Sequence, residues 1–288
     1  MSFQRYLSAK RTVDERALNR RVEARLAEAV ADRDRLRVLE IGAGIGAMAV
    51  RLLNRPWLPD RTTYTGIEAR PANVAAARRR VPERAAGAGY VARTSGDRIV
   101  ATRKSRRVDA EFVVGDAFAL LAETDRRWDL LIAHAFVDLA DPREVVDAFR
   151  EALAPGGAAY CPITFDGGTI FEPVADRGFE DQLAELFHRH LDASGDSRAG
   201  RHLLSAAAES GSVLAAGGSD WVVRPHGDAY PADEAYFLRY IVDTVADAVA
   251  KEQVIDPDRL RSWADRRRDQ IEEAKLVYCA HQLDVLFR

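Results

Sequence analysis

Three glycines near residue 45 have the spacing of a loop that wraps a bound ligand. The segment Glu40-Ile-Gly-Ala-Gly-Ile-Gly46 follows a short apolar run and precedes Ala47 to Leu53, which has helical character. Glycine has no side chain to hold the backbone away from a ligand, and a helix that begins there points N–H groups at it. The segment therefore predicts a ligand-binding turn. It also fits the looser GxGxxA pattern of dinucleotide-binding proteins, so the glycines alone leave two cofactor classes open.

Acidic residues end three successive predicted strands. Glu40 ends the first, Glu68 ends the second, and Asp116 follows the third. An acid after strand two can accept hydrogen bonds from both ribose hydroxyls, and an acid after strand three can accept one from the amine of an adenine. Singly, each could be a surface acid or a helix N-cap. Together, behind one glycine loop, they favour a site for an adenine nucleoside.

Alternating strands and helices position these residues. Predicted strands cover 36–41, 63–68, 111–114, 128–133 and 158–165, and predicted helices cover 17–31, 47–53, 72–80 and 142–154. This alternation predicts an open, doubly wound parallel sheet with crossovers. The centre of residues 90–102, Ser95-Gly-Asp-Arg98, predicts an inserted hairpin at a sheet edge. Beyond residue 166 we expect a glycine-rich loop to about 173, helices near 179–192, 200–210, 234–250 and 257–274, and strands at 220–224 and 276–281.

Together these features resemble the class I S-adenosylmethionine (SAM)-dependent methyltransferases, over residues 36–165 and more weakly over the last two strands. The resemblance implies an α/β fold, with a doubly wound, mostly parallel seven-stranded Rossmann-like sheet, an antiparallel C-terminal strand and a helical cap insertion. It implies an N-terminal helical segment and possible lid (1–34) and a SAM-binding core (35–165) with an excursion at about 85–108. The remainder (166–288) would complete the sheet and supply the substrate cap.

The resemblance also implies SAM as the cofactor and S-adenosylhomocysteine as the product. Carried over residue by residue, the cofactor contacts would be Glu40, Gly42, Ala43, Gly44, Gly46, Glu68, Ala69, Asp116, Ala117, Phe118 and His134. The glycine loop would line the methionine part, Glu68 the ribose, and Asp116 with the two residues after it the adenine. His134 occupies the position of the family's fourth motif, beside the methyl group.

The reaction that the resemblance implies is an in-line displacement, which needs a base only when the nucleophile must lose a proton. His134 is the first candidate because its ordinary pKa of ~6.5 suits proton acceptance, although it could instead hydrogen-bond cofactor or backbone. Asp166 is the second, with loop capping as the alternative. Substrate contacts are expected from Phe171 and from His226 and Tyr230, for which a surface turn is the alternative. No carboxylate cluster predicts a metal.

Composition restricts the class of protein further. The chain has 288 residues, 42 Lys plus Arg against 45 Asp plus Glu, and a net charge of -3. No apolar run approaches the ~18 residues of a membrane span, and the N-terminus has no apolar signal segment, so we expect a cytoplasmic protein. Cys161 and Cys279 are too few for a disulfide framework or a zinc site.

The acceptor is the least determined part of the prediction. Residues 78–107 carry ten basic residues against two acids and could follow a phosphate backbone, which would suit an RNA methyltransferase. However, the fourth motif is His134-Ala-Phe-Val137, not the Asn/Asp-Pro-Pro-aromatic run associated with methylation of base amines. Because residues 166–274 supply enough helices to cover a pocket, we expect a small-molecule acceptor and no nucleic acid. An NAD(P)-binding oxidoreductase and a non-catalytic SAM-binding scaffold are the remaining alternatives.

Overall fold

A single mixed sheet runs through the computed structural model, which describes residues 2–211 and 213–288. Its strands are Arg35–Ile41 (β1), Arg61–Glu68 (β2), Val91–Ser95 (β3), Arg98–Arg103 (β4), Arg106–Val114 (β5), Trp128–Ala133 (β6), Leu153–Glu172 (β7), Val213–Gly218 (β8), Trp221–Val223 (β9) and Val277–Phe287 (β10). Their order is β3-β4-β5-β2-β1-β6-β7-β10-β8, with β9 beside β10. The central pairs, from β5 to β7, are parallel, and the pairs at both ends are antiparallel. The predicted α/β fold class is confirmed.

Helices flank the sheet and precede it. In the described residues they are Phe3–Ala9 (α1), Arg11–Ala17 (α2), Arg20–Val30 (α3), Ala47–Leu53 (α4), Pro71–Gly87 (α5), Ala117–Glu123 (α6), Pro142–Ala152 (α7), Arg177–Asp192 (α8), Ala199–Glu209 (α9), Glu234–Glu252 (α10) and Pro257–Glu272 (α11). Nowhere in this part of the chain is a helix long and apolar enough to cross a membrane.

The two faces of the sheet bury different helices. In β1, Leu36 and Val38 pack in a core shared with α3, α4, α5 and α10, whereas Leu39 and Ile41 pack in a second core with α7 and α9. Successive strand residues point to opposite faces, so one strand contributes to both cores. With both faces of β1 covered, a ligand has access to this strand at its carboxyl end, where the glycine loop begins.

The predicted count of seven strands is wrong, because the sheet has ten within the described residues. The edge hairpin of β3 and β4 accounts for two of the additional strands. The third is β8, which pairs with β10 just before the expected strand at 220–224, itself reduced to Trp221–Val223. The sequence of β8, Val-Leu-Ala-Ala-Gly-Gly, has no alternation and ends in two glycines, so its pairing partner rather than its own composition makes it a strand.

The prediction of a glycine-rich loop at 166–173 is also wrong, because β7 continues as far as Glu172. Antiparallel pairing with β10 places Val277 opposite Glu172. Gln282 pairs with Phe165 but His281 pairs with Gly168, so two additional residues, 166 and 167, form a bulge in β7. The partner strand lies more than 100 residues away in sequence, and the local glycine content could not reveal it.

Candidate active site

A cavity of about 370 Å³ opens at the carboxyl ends of β1, β2, β5 and β6. Ten of the eleven predicted cofactor contacts line it: Glu40, Gly42, Ala43, Gly44, Glu68, Ala69, Asp116, Ala117, Phe118 and His134. The N-terminal helices add Phe3, Leu7, Lys10 and Asp14. Parallel strands therefore bring together residues as far apart in sequence as Glu40 and His134, at the edge of the sheet where α/β proteins bind their ligands.

The glycines of the loop divide into two roles. Gly42 and Gly44 line the cavity with φ of +65° and +54°, a conformation that residues with side chains rarely adopt. Gly46 is the predicted contact that does not line the cavity. A Cβ on Gly46 would lie 2.5 Å from Val81 Cγ2, so this glycine allows α4 to pack against α5. The predicted cofactor contact at Gly46 is therefore replaced by a packing role.

Glu68 is held at the cavity wall by the backbone. One carboxylate oxygen accepts a hydrogen bond from the Gly44 N–H at 3.0 Å and the other from the Arg70 N–H at 2.9 Å. The glycine loop and the end of β2 are thereby joined through this side chain. The arrangement fixes a carboxylate, with free lone pairs on both oxygens, beside the cavity.

Glu40 is buried under the loop, with 1% of its surface exposed. The Tyr64 hydroxyl donates a hydrogen bond to its carboxyl group. Burial raises the pKa of Glu40 well above its ordinary value of 4.5, and the nearby Glu68 adds to the effect, while Arg51 and Lys10 oppose it. The floor of the cavity thus contains an acid in which the neutral form is favoured.

Asp116 is exposed at the start of α6, where Oδ1 accepts a hydrogen bond from the Ala119 N–H at 2.8 Å. It is an N-cap, which is the structural role that its sequence position also allowed. Beside it, Ala117 and Phe118 form an apolar wall, and the Phe118 ring lies 6.2 Å from that of Phe136. A polar group next to a flat apolar wall has the shape that a purine ring requires.

His134 follows β6 and faces the N-terminal helices. Its side chain is 9% exposed, and Nε2 lies 3.3 Å from Oδ2 of Asp14. Asp14 also pairs with Lys10, whose Nζ is 2.9 Å from the carboxylate. Burial lowers the pKa of His134 well below 6.5, and the positive charges of Lys10 and Arg51 lower it further. The imidazole is therefore neutral at neutral pH, which is the protonation state of a base.

Asp166 does not reach the cavity. It lies in the bulge of β7, where its carboxylate accepts hydrogen bonds from the backbone N–H and the guanidinium of Arg201, at 2.9 and 2.8 Å. His281 lies on its other side, with Nε2 3.4 Å from Oδ2. The structure thus does not bring Asp166 to the cavity with the other predicted site residues, because its side chain is bonded to Arg201 of α9.

The three predicted substrate contacts also lie away from the cavity. Phe171 is 5% exposed and packs against the Tyr278 and Trp263 rings, at 5.0 and 5.6 Å between centroids. The Tyr230 hydroxyl donates to a backbone oxygen of residue 276 at 2.8 Å, and His226 lies in a turn closed by its own backbone. Phe171 is therefore part of the packing between β7 and β10, and His226 and Tyr230 lie in the segment between β9 and α10.

The N-terminal side of the cavity was only partly predicted. Phe3, Leu7, Lys10 and Asp14 recur every three or four residues, the spacing of one helical face, although α1 and α2 meet at Lys10. That periodicity could have identified a buried stripe. No described residue after Leu139 lines the cavity; α10 packs against α1, whereas α9 packs against α7 on the other face of the sheet.

A metal site would require several His, Cys, Asp or Glu side chains close together. Across residues 2–211 and 213–288, no three His, Cys, Asp or Glu side chains are grouped in a way that could hold a metal ion.

Comparisons with known proteins identify the family to which the chain belongs. A family model described as a methyltransferase domain matches residues 12–214. Similar solved structures include the SAM-dependent methyltransferases of Thiobacillus denitrificans and Geobacter sulfurreducens, both in complex with S-adenosyl-L-homocysteine. They are 16% and 17% identical, with TM-scores of 0.45 and 0.46, and cover 93% and 94% of this chain and 92% of each of theirs. YjhP from E. coli is 17% identical, with a TM-score of 0.46 and coverage of 94% and 93%.

A search of the curated proteins finds no match. The family model, however, spans more than half of the 288 residues. The chain therefore belongs to the methyltransferase domain family, with the class I fold whose cofactor is S-adenosylmethionine.

Proposed function

We propose that the protein transfers the methyl group of SAM to a small-molecule acceptor bound in the cavity beside His134, under the N-terminal helices. The observation that carries this proposal is the cover over the cavity: Phe3, Leu7 and the Lys10–Asp14 pair lie across the end of the sheet where His134 lies.

The residues present fit the cofactor. Glu68, fixed by two backbone N–H groups, suits the ribose hydroxyls, and Asp116 with the apolar wall at Phe118 suits the adenine. Gly42 and Gly44 leave room for the methionine part. SAM supplies a methyl group bound to a sulfonium, and its product is S-adenosylhomocysteine.

The chain's own contribution to the reaction is orientation and exclusion of water. Transfer forms a bond between the acceptor atom and the methyl carbon as the carbon–sulfur bond breaks, and that electron pair stays on sulfur. Alignment in a dry site supplies most of the rate in such displacements. Leu7 and Phe136 make the cavity wall apolar on the side near His134. When the acceptor atom carries a proton, the neutral imidazole of His134 takes it.

The RNA alternative loses part of its basis once the basic stretch is located. Arg78 donates to the backbone oxygen of residue 112, Arg103 to that of Ala88, and Arg106 to those of residues 55 and 56. These three guanidinium groups join α5, β4 and β5 to neighbouring segments and are not free to follow a phosphate backbone. This favours the small-molecule acceptor.

The acceptor class can be tested directly. Purified protein is incubated with isotopically methyl-labelled SAM and a host extract separated into metabolites and RNA. We expect labelled products of low molecular mass, detected by mass spectrometry. Label in RNA alone would overturn the small-molecule proposal, and no label in either fraction despite SAM binding would favour the scaffold.

The ribose assignment has its own test. Glu68→Ala removes the carboxylate, and we expect binding of S-adenosylhomocysteine, measured by calorimetry, to weaken roughly 100-fold, because hydrogen bonds to a charged acceptor contribute about 1.5–3 kcal/mol each. Glu123→Ala, the same change at the exposed end of α6, is the matched control. Equal affinity in the two variants would contradict the assignment.

A further inference from the structure

Three polar side chains meet beside His134, and the imidazole is the fourth polar group of this cluster. Asp14 of α2 accepts hydrogen bonds from Lys10 Nζ at 2.9 and 3.1 Å and from Trp221 Nε1 at 2.9 Å. The ammonium of Lys10 also lies 5.0 Å from the centroid of the Trp221 ring. The side chains of Asp14 and Lys10 are 2% and 8% exposed. A carboxylate held by two donors and shielded from water keeps a fixed orientation.

The fourth group is the imidazole itself. Nε2 of His134 is buried and forms no hydrogen bond of good geometry with the described residues, and its neighbouring acceptor is Oδ2 of Asp14, at 3.3 Å. An unpaired buried polar atom costs free energy, and contacts at a catalytic site often become well aligned only when ligands bind. The residual exposure of the ring, 9% of the side chain, must belong to atoms other than Nε2.

The two neutral tautomers of His134 differ sharply in this environment. With the proton on Nε2, the ring can donate to Asp14. With the proton on Nδ1, the lone pair of Nε2 would face a carboxylate oxygen 3.3 Å away, and the two would repel. The partner of one ring nitrogen thus decides which nitrogen stays basic.

We propose that Asp14 is a positioning residue that holds His134 in the Nε2–H tautomer and leaves Nδ1 as the proton acceptor in the cavity. Lys10 and Trp221 act by fixing Asp14. The tautomer assignment rests on the 3.3 Å approach of Nε2 to Asp14, whereas its use in proton transfer rests on the proposed function. The first helices of the chain would then complete the site as well as cover it.

The tautomer can be measured without knowing the acceptor. ¹⁵N NMR of the full-length protein, labelled on histidine, with S-adenosylhomocysteine added as the probe, reports which nitrogen of His134 is protonated. The signal is assigned by its loss in His134→Asn. We expect protonated Nε2 and bare Nδ1 in the wild type, and a mixture of tautomers in Asp14→Asn, since a neutral amide can donate or accept. Asp196→Asn, an equivalent change beside His202, should leave His134 unchanged.

Loss of the charge on Asp14 would leave Lys10 buried without its partner and could unfold the chain. The double variant Lys10→Met/Asp14→Leu removes both charges and keeps apolar volume, a replacement that buried pairs often tolerate. It offers no acceptor to Nε2, so we expect the Nδ1–H form to increase. An Nδ1–H tautomer in the wild type, or an unchanged Nε2–H tautomer in this folded double variant, would overturn the proposal. Calorimetric binding of the same probe tests the cofactor assignment separately.

Discussion

Single residues around the loop illustrate how one residue type serves different purposes. Gly42 faces the Phe136 ring, 2.6 Å from where its Cβ would be, whereas Gly46 faces Val81 at 2.5 Å. The first glycine lines the cavity and the second lets two helices pack. Sequence alone assigned both to the cofactor, because a glycine pattern records where side chains are excluded and not what excludes them.

Glu40 allows a prediction about pH. Its folded-state pKa is raised above 4.5, so folding favours the protonated form, and the resulting stability is present below about pH 4.5 and is lost as the pH rises toward the folded-state pKa. Glu40→Gln cannot ionise. We expect the unfolding free energy of the wild type to fall relative to Glu40→Gln as the pH is raised from 4.5, measured by urea denaturation. Parallel pH profiles would contradict the raised pKa.

At the scale of elements, α10 supports the cover over the cavity. The Tyr6 ring stacks on Tyr240 of α10 with 4.1 Å between centroids. Arg16 of α2 pairs at 2.6 Å with Glu234, whose side chain is fully buried. Helix α10 of the predicted substrate cap thus packs against the N-terminal helices that line the cavity and does not line it itself.

Removal of α1 tests the predicted lid. Deleting residues 2–9 takes away Phe3 and Leu7 from the cavity wall and keeps Lys10 and Asp14. Because burying one such side chain contributes about 1.5–3 kcal/mol, we expect affinity for S-adenosylhomocysteine to fall at least about tenfold by calorimetry. Arg5→Gln, which breaks the exposed pair with Asp233 and the contact with the Tyr236 ring but leaves the cavity wall intact, should bind normally. Wild-type affinity after the deletion would remove the lid from the proposal.

The edge hairpin gives a second prediction at this scale. The Arg106 guanidinium donates to the backbone oxygens of Arg55 and Pro56, both at 3.1 Å, and so joins β5 to the end of α4. We expect Arg106→Gln to lower the unfolding free energy by about 1–3 kcal/mol in urea. Arg93→Gln, on the exposed side of the hairpin, should change it by less than about 0.5 kcal/mol. Equal stability of the two variants would show that these bonds contribute little.

For the whole molecule, ligand binding should raise the free energy of unfolding. Anything that binds only the folded state stabilises it, by about 2.7 kcal/mol at a concentration 100 times Kd. We expect S-adenosylhomocysteine to raise the melting temperature in a concentration-dependent way and NAD⁺ at the same concentrations to leave it unchanged. Stronger protection by NAD⁺ would favour the oxidoreductase that the glycine pattern also allows.

At the scale of the whole molecule, the structure also shows what several residues of the basic stretch contact. The basic stretch at 78–107 suggested a polyanion from sequence, because counting charges does not show what each one contacts. In the folded chain several of its arginines bind backbone oxygens of neighbouring segments. They join α5, β4 and β5 to the segments packed against them.

The sequence by itself determined the parallel sheet, the glycine turn and the acids at the strand ends, since periodicity and the ends of strands are local features. Only the tertiary structure decided the cover over the site. Asp14 bonds to Trp221, which is 207 positions away in sequence, and Arg16 bonds to Glu234, 218 positions away. No local sequence pattern encodes such contacts. The tertiary structure also decided the positions of Asp166 and Phe171, which the sequence predicted to lie in a glycine-rich loop. Pairing with the distant strand β10 makes that segment part of the sheet and turns both side chains away from the cavity.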